Sequence, residues 1–264
     1  MNSHDYHALR AVSSHCLIEM YQRSPLHCWS RYLDKQRQRS SGTSATRLGS
    51  LVHTLLLEPQ HLERDFEITD RPRRSYADKT FHALVEATGR QCVNSRLMRQ
   101  AQAMADAVRR HDEAVALLDG QAEHTFIIER GPDLLPLKGR LDMWREHQRH
   151  VVEFKTTLDA SPSAFARTLQ RYCYHLSAAF YLHLSGATRH SFIVAETQPP
   201  HAVALYHTRQ TLLDEGQQLW QNALELFDRC WTADHWPGYD DLPLMEQKTA
   251  PRARDFISTG EVML

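Results

Sequence analysis

Short apolar runs with alternating polar positions fill the middle of the chain. They are rich in β-branched and aromatic residues, and turn-forming stretches separate them. Side chains of a strand point alternately to the two faces of a sheet, so this period of two indicates β-strands. The pattern predicts a three-strand meander followed by two more strands. The predicted strands are 123–129, 135–144, 150–157, 190–196 and 201–208.

Helical periodicity surrounds these strands. The predicted helices are two short ones within 12–34, one at 46–58, mainly helical structure over 77–118, one from Pro162 to Gly186, and one from Leu212 to Trp231. Capping residues and prolines mark several of their ends. The polar, Ser-rich stretch 36–46 lacks periodicity and predicts a mobile loop. This order predicts an α+β fold, with a central mixed β-sheet flanked by helices and a helical N-terminal part.

Composition places the chain among folded globular proteins. Its 264 residues are 42% hydrophobic and 24% charged, which argues against disorder. We expect a single domain, with a helical N-terminal part (1–60), a core (61–235) and a C-terminal extension (236–264).

The sequence shows no signal for a membrane or secreted location. No window approaches the roughly 20 apolar residues of a membrane span, and the N-terminus lacks the apolar core of a secretory signal. The five cysteines are scattered, which is typical of reduced thiols. We therefore expect a cytoplasmic protein with no membrane partner.

The charge balance gives no general attraction to nucleic acid. The net charge is −1, whereas nucleic-acid-binding proteins are usually basic. Basic residues are nevertheless concentrated in 71–79, 96–110 and 247–254. Each of these runs, taken singly, is more typical of a solvated surface than of a binding site.

One predicted strand pair carries charged residues where a partly buried face is expected. Asp142 lies near the end of "GRLDMW", and Glu153 and Lys155 lie in "VVEFKTT". Glu153 and Lys155 share one face of their strand because side chains alternate. Desolvated carboxylates need a compensating cation, so two carboxylates beside a lysine predict a site for a hard divalent cation. An exposed hairpin with mixed surface charge is the alternative.

The strand register determines whether the two carboxylates meet. If residues 145–150 form the connection, Trp144 pairs with Val151. Asp142 then lies opposite Glu153, and Arg140 faces Lys155. A slip of one residue would break this arrangement, because it moves every side chain to the other face.

The order of the motifs resembles a known nuclease family. The quoted segments are "VSSHCLIEMYQRSPLHCW", "LGSLVHTLLLEP", "KGRLDMW", "VVEFKTT", "YCYHLSAAFY" and "WPGY". With the pattern Asp142…Glu153-x-Lys155, they resemble the PD-(D/E)xK nuclease superfamily and, more closely, the RecE-type and lambda-type phage exonucleases. The resemblance implies a restriction-endonuclease-like core over 61–235. It also implies a Mg²⁺-dependent exodeoxyribonuclease, with Mn²⁺ as a substitute, that degrades linear double-stranded DNA from 5′ to 3′ and leaves 3′ single-stranded tails for recombination by strand annealing.

The resemblance also implies roles for side chains near the metal. Asp142 and Glu153 would ligate Mg²⁺, and Lys155 would orient the attacking water or stabilise charge on the phosphate. His53 matches a histidine that this family places beside the metal. Glu123 matches a further acidic residue near a second metal, although Glu129 lies close by in the sequence.

A second set of positions resembles DNA-contacting residues of the family. Arg47 resembles an arginine that captures a terminal 5′-phosphate. Ser177 departs from the family, which usually has glutamine at this position. The predicted DNA contacts are Arg47, Arg140, Tyr174, His175, Ser177 and Tyr181.

Partners follow from the same resemblance. The expected partners are double-stranded DNA ends, further copies of the chain in a trimeric or tetrameric ring, and a single-strand annealing protein. The segment from Pro237 to Leu264 is a candidate strap between neighbouring copies. Two alternatives to an exonuclease stay open: a structure-specific or restriction-like endonuclease of the same fold, and a non-catalytic DNA-binding module.

Overall fold

The computed structural model describes residues 3–34, 43–72, 75–239 and 256–258. Its helices are α1 (Ser3–Ala8), α2 (Ser14–Gln22), α3 (Pro25–Cys28), α4 (Ser44–Leu57), α5 (Leu62–Asp65), α6 (Tyr76–Ala87), α7 (Ser95–Arg109), α8 (Asp112–Leu117), α9 (Pro162–Arg171), α10 (Tyr174–Ser185) and α11 (Gln210–Ala233). Its strands are β1 (Phe66–Ile68), β2 (Gln91–Val93), β3 (Gln121–Ile128), β4 (Leu137–Arg145), β5 (His150–Thr157), β6 (Arg189–Glu196), β7 (Val203–Thr208) and β8 (Phe256–Ser258).

A six-stranded sheet in the order β3-β4-β5-β6-β7-β8 organises the fold. The first three strands form an antiparallel meander, and β5 pairs with β6 in parallel. A parallel pair needs a crossover, which α9 and α10 supply. The remaining pairs are antiparallel. The predicted α+β fold with a central mixed sheet flanked by helices is therefore confirmed.

Apolar helix faces cover this sheet. The first core cluster joins α2, α10 and α11 to it through residues such as Leu17, Phe180 and Phe227. The second joins α4, α7 and α8 to it through residues such as Leu51 and Met104. None of the helices in the described part of the chain is long and apolar enough to cross a membrane.

The mainly helical structure predicted for 77–118 is confirmed by α6, α7 and α8, although β2 lies between α6 and α7 and pairs in parallel with β1 in a separate two-stranded sheet. One helix prediction was wrong in part. The single helix predicted from Pro162 to Gly186 is two helices, α9 and α10. They are separated at Tyr172 and Cys173, and Cys173 has φ 51° in the left-handed region, which ends the helical path.

The N-terminal predictions agree more closely with the structure. Ser13 caps α2 through its side chain, and Ser24 caps α3 with Pro25 in the first turn. Helix α4 begins at Ser44, so the last part of the predicted loop 36–46 is helical; the rest, up to residue 42, lies outside the described residues. The basic run 247–254 also lies outside them.

The C-terminal extension contributes one strand. Residues Phe256–Ser258 pair with β7 of the same chain as β8. Before them, the backbone carbonyl of Pro237 accepts a hydrogen bond from Leu26 N–H at 3.0 Å. The predicted strap between copies stays a prediction for the residues on either side of β8, which lie outside the described part.

Candidate active site

The candidate site lies where β4 and β5 separate. Their ladder includes the pairs Trp144–Val151 and Met143–Val152, so the predicted register is confirmed. The next residues along the two strands are Asp142 and Glu153, and here side chains replace ladder hydrogen bonds. Asp142 Oδ2 accepts from the backbone N–H of Phe154 at 2.8 Å, and Glu153 Oε1 accepts from the N–H of Asp142 at 3.4 Å. Backbone donors therefore hold both carboxylates at this point of separation, which we call the fork of β4 and β5.

A third carboxylate completes a row across the sheet. The β3–β4 pairs on either side are Ala122–Met143 and His124–Leu141, which places Glu123 across from Asp142. Glu123 has φ 53°, in the left-handed region. Such a backbone costs about 1–3 kcal/mol in a residue other than glycine and is concentrated at functional sites.

Two cationic side chains compensate this row. His53, on α4, lies 3.0 Å from Glu123 through Nδ1 and 3.1 Å from Asp142 through Nε2. The Nζ of Lys155 lies 2.8 Å from Glu153 Oε2 and 3.6 Å from Asp142 Oδ2. Asp142 is thus shared between a histidine on one side and a lysine on the other.

The pKa values of these groups follow from burial and mutual charge. Burial, assisted by the charge of Asp142, raises the pKa of Glu153 to about 7. Burial alone would raise the pKa of Asp142, but Lys155 and His53 hold it below its usual range. Burial alone would lower the pKa of His53, but Asp142 and Glu123 raise it to about 10. In the absence of metal, the site therefore contains an imidazolium between two carboxylates.

Three of these residues form a donor set that suits a divalent cation. His53, Glu123 and Asp142 each offer one ligand atom, and the atoms lie within 4.8 Å of one another. Carboxylate oxygens suit Mg²⁺ and Mn²⁺, and both ions keep water molecules where the protein supplies few ligands. Glu153 was also predicted as a metal ligand, and the structure places its carboxylate against Lys155, on the other side of Asp142. Glu129 is exposed and follows the end of β3, so Glu123 is the acidic residue in the row.

Arg140 supports this donor set by contacting the carboxylate of Glu123. Its side chain is 10% exposed, and its guanidinium contacts both Glu123 and Glu58, the latter at 3.4 Å. Arg140 was predicted to face Lys155. The two side chains contact different carboxylates in the structure, because Lys155 is engaged by Glu153 and Asp142. No sequence pattern indicated a role for Glu58. It lies 82 positions from Arg140, and no local pattern marks the pair.

The predicted DNA-contacting residues of α10 divide into buried and accessible ones. His175 is 1% exposed and Tyr181 is 6% exposed, so both are buried in the fold and offer little surface for the predicted DNA contact. Tyr181 instead accepts a hydrogen bond from Ser14 at 3.2 Å. Tyr174 and Ser177 are partly exposed, and the Tyr174 ring lies 5.5 Å from Lys155 Nζ.

Arg47 lies on the same helix as His53 but on a different side. The two are six residues apart, which is about 120° around an α-helix. Arg47 is partly exposed at the start of α4. Its predicted contact with a terminal phosphate stays a prediction.

Comparison with known proteins gives the family of the chain and a solved structure of similar fold. A family model described as a PDDEXK-like domain of unknown function (DUF3799) matches residues 14–243. The fold is similar to the crystal structure of a "putative exonuclease" from Eubacterium rectale, with a TM-score of 0.67 and 11% identity over 95% of this chain and 96% of the other. A phage related exonuclease from Haemophilus somnus 129PT matches with a TM-score of 0.30 and 12% identity, over 61% and 90% of the two chains. A search of curated proteins finds no match.

Proposed function

Because the chain belongs to the PDDEXK-like domain family DUF3799, we propose that it is a metal-dependent nuclease that degrades linear double-stranded DNA from its ends. The observation that carries this proposal is the arrangement at the fork of β4 and β5. His53, Glu123 and Asp142 can hold one cation, and Lys155 lies beside them on Glu153. The Eubacterium rectale protein of similar fold is described as a "putative exonuclease", which supports the proposed attack at DNA ends.

The chain's own groups would hold the cation and orient the reacting groups for phosphodiester hydrolysis. A bound divalent cation supplies a Lewis acid that activates water and stabilises charge on the phosphate. Asp142 fixes the geometry of the site, because its carboxylate is held by Phe154 N–H and flanked by His53 and Lys155. Lys155 keeps its proton, since burial alone would lower its pKa but Asp142 and Glu153 raise it. Its ammonium can therefore donate to the attacking water or to a phosphate oxygen.

The finer features of the proposal come from the resemblance of the sequence motifs. They are Mg²⁺ as the natural metal with Mn²⁺ as a substitute, 5′ to 3′ digestion that leaves 3′ tails for recombination, and a ring of three or four copies working with an annealing protein. Arg47 is proposed to bind the 5′-phosphate through a charge-assisted pair of hydrogen bonds. With wild-type protein, 5′-phosphorylated duplex should then be cut faster than 5′-hydroxyl duplex, and Arg47→Ala should reduce that difference. Equal rates on 5′-phosphorylated and 5′-hydroxyl duplex would contradict the proposed role of Arg47 and leave the nuclease proposal standing.

Linear duplex labelled separately at each 5′ and each 3′ end, beside closed circular DNA, tests the proposed function. We expect Mg²⁺-dependent loss of linear DNA starting from the 5′ ends and no loss of circles. Asp142→Asn and Lys155→Met should abolish most cleavage while circular dichroism shows an intact fold, because removing one group that stabilises a transition state costs about 10²- to 10³-fold in rate. Glu129→Gln, at an exposed carboxylate near the site strand, is the matched control.

Other outcomes identify the alternatives. Cleavage of circular DNA would make the protein an endonuclease of the same fold. Binding of DNA without cleavage in Mg²⁺ or Mn²⁺ would make it a non-catalytic DNA-binding module.

A further inference from the structure

Two tyrosine rings extend the candidate active site toward solvent. The Nζ of Lys155 lies 5.5 Å from the centre of the Tyr174 ring. The Tyr174 ring stacks on Tyr172, with centroids 5.7 Å apart and planes 21° from parallel. Tyr172 is 51% exposed, whereas Tyr174 is partly buried. The pair therefore leads from the catalytic lysine to an aromatic surface that a ligand can reach.

The surrounding structure holds this pair in place. Tyr174 packs against Phe192 of the sheet core, with ring centroids 6.0 Å apart. Gln22, on α2, donates a hydrogen bond to the backbone carbonyl of Arg171 at 2.7 Å and contacts Cys173 Sγ at 3.1 Å. These contacts fix the turn between α9 and α10 from both ends. A ligand that binds here would pay little to order the rings, because they are already ordered by the protein.

The chemistry of the surface selects the ligand. A flat aromatic face binds other flat π-systems, and stacking of a base on an aromatic side chain contributes about 1–3 kcal/mol regardless of base identity. The guanidinium of Arg171 lies 5.7 Å from the Tyr172 ring centre and supplies positive charge beside it. At most about three base steps, at about 3.4 Å each, separate Tyr172 from the lysine. A nucleotide near the scissile phosphate can therefore place its base on this surface.

We infer that Tyr172 and Tyr174 form a stacking platform for the nucleobase at a DNA end, with Arg171 attracting the adjoining backbone. This inference rests on the proposed function, because it assumes that DNA enters the site beside Lys155. It adds a sequence-tolerant binding contribution at the strand end. It also gives Tyr172, which was not among the DNA contacts predicted from the sequence, a role in positioning the substrate.

The test uses the full chain in Ca²⁺ and a duplex that carries the fluorescent base 2-aminopurine at its 5′ terminus. Wild-type protein should quench the terminal 2-aminopurine as it stacks. A duplex with the probe at its centre should show no such quenching. Tyr172→Ala should weaken binding about 5- to 150-fold and abolish the quenching, as expected from the loss of one stacked base. Tyr172→Phe should behave as wild type, because the ring is retained.

Tyr76→Ala is the matched control, since Tyr76 is a tyrosine on α6 that is 87% exposed. It should leave both binding and quenching unchanged. If wild-type protein binds and cuts DNA but Tyr172→Ala shows normal affinity and normal quenching, the platform is overturned while the nuclease proposal stands. If wild-type protein neither binds nor cuts DNA, both are overturned.

Discussion

The imidazole of His53 bridges Glu123 and Asp142, at 3.0 Å from one carboxylate and 3.1 Å from the other. Both ring nitrogens contact acidic oxygens, and the pKa of His53 is raised to about 10. A neutral imidazole nitrogen is needed to ligate a metal. The cation and the proton on His53 therefore compete for the same site.

Metal affinity is accordingly expected to rise with pH. Above about pH 7, the midpoint of Glu153 deprotonation, and up to about pH 10, where His53 loses its own proton, binding should release one proton. Affinity for Mn²⁺ should then rise about tenfold per pH unit. Calorimetry in two buffers of different ionisation enthalpy counts the protons released. His53→Gln should flatten the dependence, and His147→Gln, in the exposed β4–β5 turn, should not. A pH-independent affinity in wild-type protein would contradict this competition.

Deprotonation of Glu153 is expected to lower the stability of the metal-free protein as the pH rises from about 5 to 6.5, against an opposite contribution from buried histidines such as His150, whose pKa burial lowers to about 4. Folded Glu153 holds its proton up to about pH 7, whereas the unfolded chain releases it near its ordinary value of 4.5. At this carboxyl the unfolded state therefore binds fewer protons in this window, and the contribution of Glu153 to the free energy of unfolding falls with pH. The full shift corresponds to about 3 kcal/mol. The raised pKa of His53 also makes the free energy of unfolding fall with pH, but only above about pH 6.5.

Urea unfolding in the presence of a chelator measures this effect. The free energy of unfolding of wild-type protein relative to Glu153→Gln should fall over the same window, because the amide cannot ionise and the two proteins share every other titrating group. Glu129→Gln should keep the wild-type slope. A difference between wild-type protein and Glu153→Gln that rises over this window would be the opposite of the expected sign.

The row of charges shows which part of the site was predictable from the sequence. The pairing of Trp144 with Val151 was correct, and it brought Asp142 next to Glu153. The alternation of strand side chains fixes such neighbours once a hairpin connection is assigned. Helix α4 and strand β3 were also predicted, but their approach to β4 was not determined by any local pattern. The contacts of His53 and Glu123 were therefore available only through resemblance.

The break between α9 and α10 shows what local patterns could not supply. Ser161 and Gly186 marked the outer ends, and the intervening residues have helical periodicity. The interruption at Cys173 needs a left-handed residue, which is usually glycine or asparagine, and cysteine gives no such signal. Burial of His175 and Tyr181 was equally hidden, because an aromatic residue on a helix can face either the core or a ligand.

Arg140 is expected to act through Glu123 and not through DNA. Its guanidinium engages Glu123 Oε2, which leaves Oε1 directed at His53. Loss of such an outer contact typically costs 10- to 100-fold in metal affinity. Arg140→Gln should weaken Mn²⁺ binding by this amount. Arg130→Gln, at a similarly buried arginine that pairs with Asp228 at 2.7 Å, is the control. Unchanged metal affinity, with weaker DNA binding at saturating Ca²⁺, would restore the direct DNA contact predicted from the sequence.

The last prediction concerns assembly. A chain with net charge −1 has a weak electrostatic hold on the DNA backbone at cellular salt concentrations, so processive digestion requires another means of retention. A closed ring provides it, because contacts that repeat around a rotation axis enclose the DNA. Light scattering should therefore report three or four subunits, and digestion should continue after excess unlabelled DNA is added.

Truncation after Tyr239 removes β8 and uncovers the edge of β7, which favours non-specific pairing between chains. A truncated protein that still forms the same ring would exclude the C-terminal strap, and a monomeric wild-type mass with immediate arrest by competitor would exclude the ring.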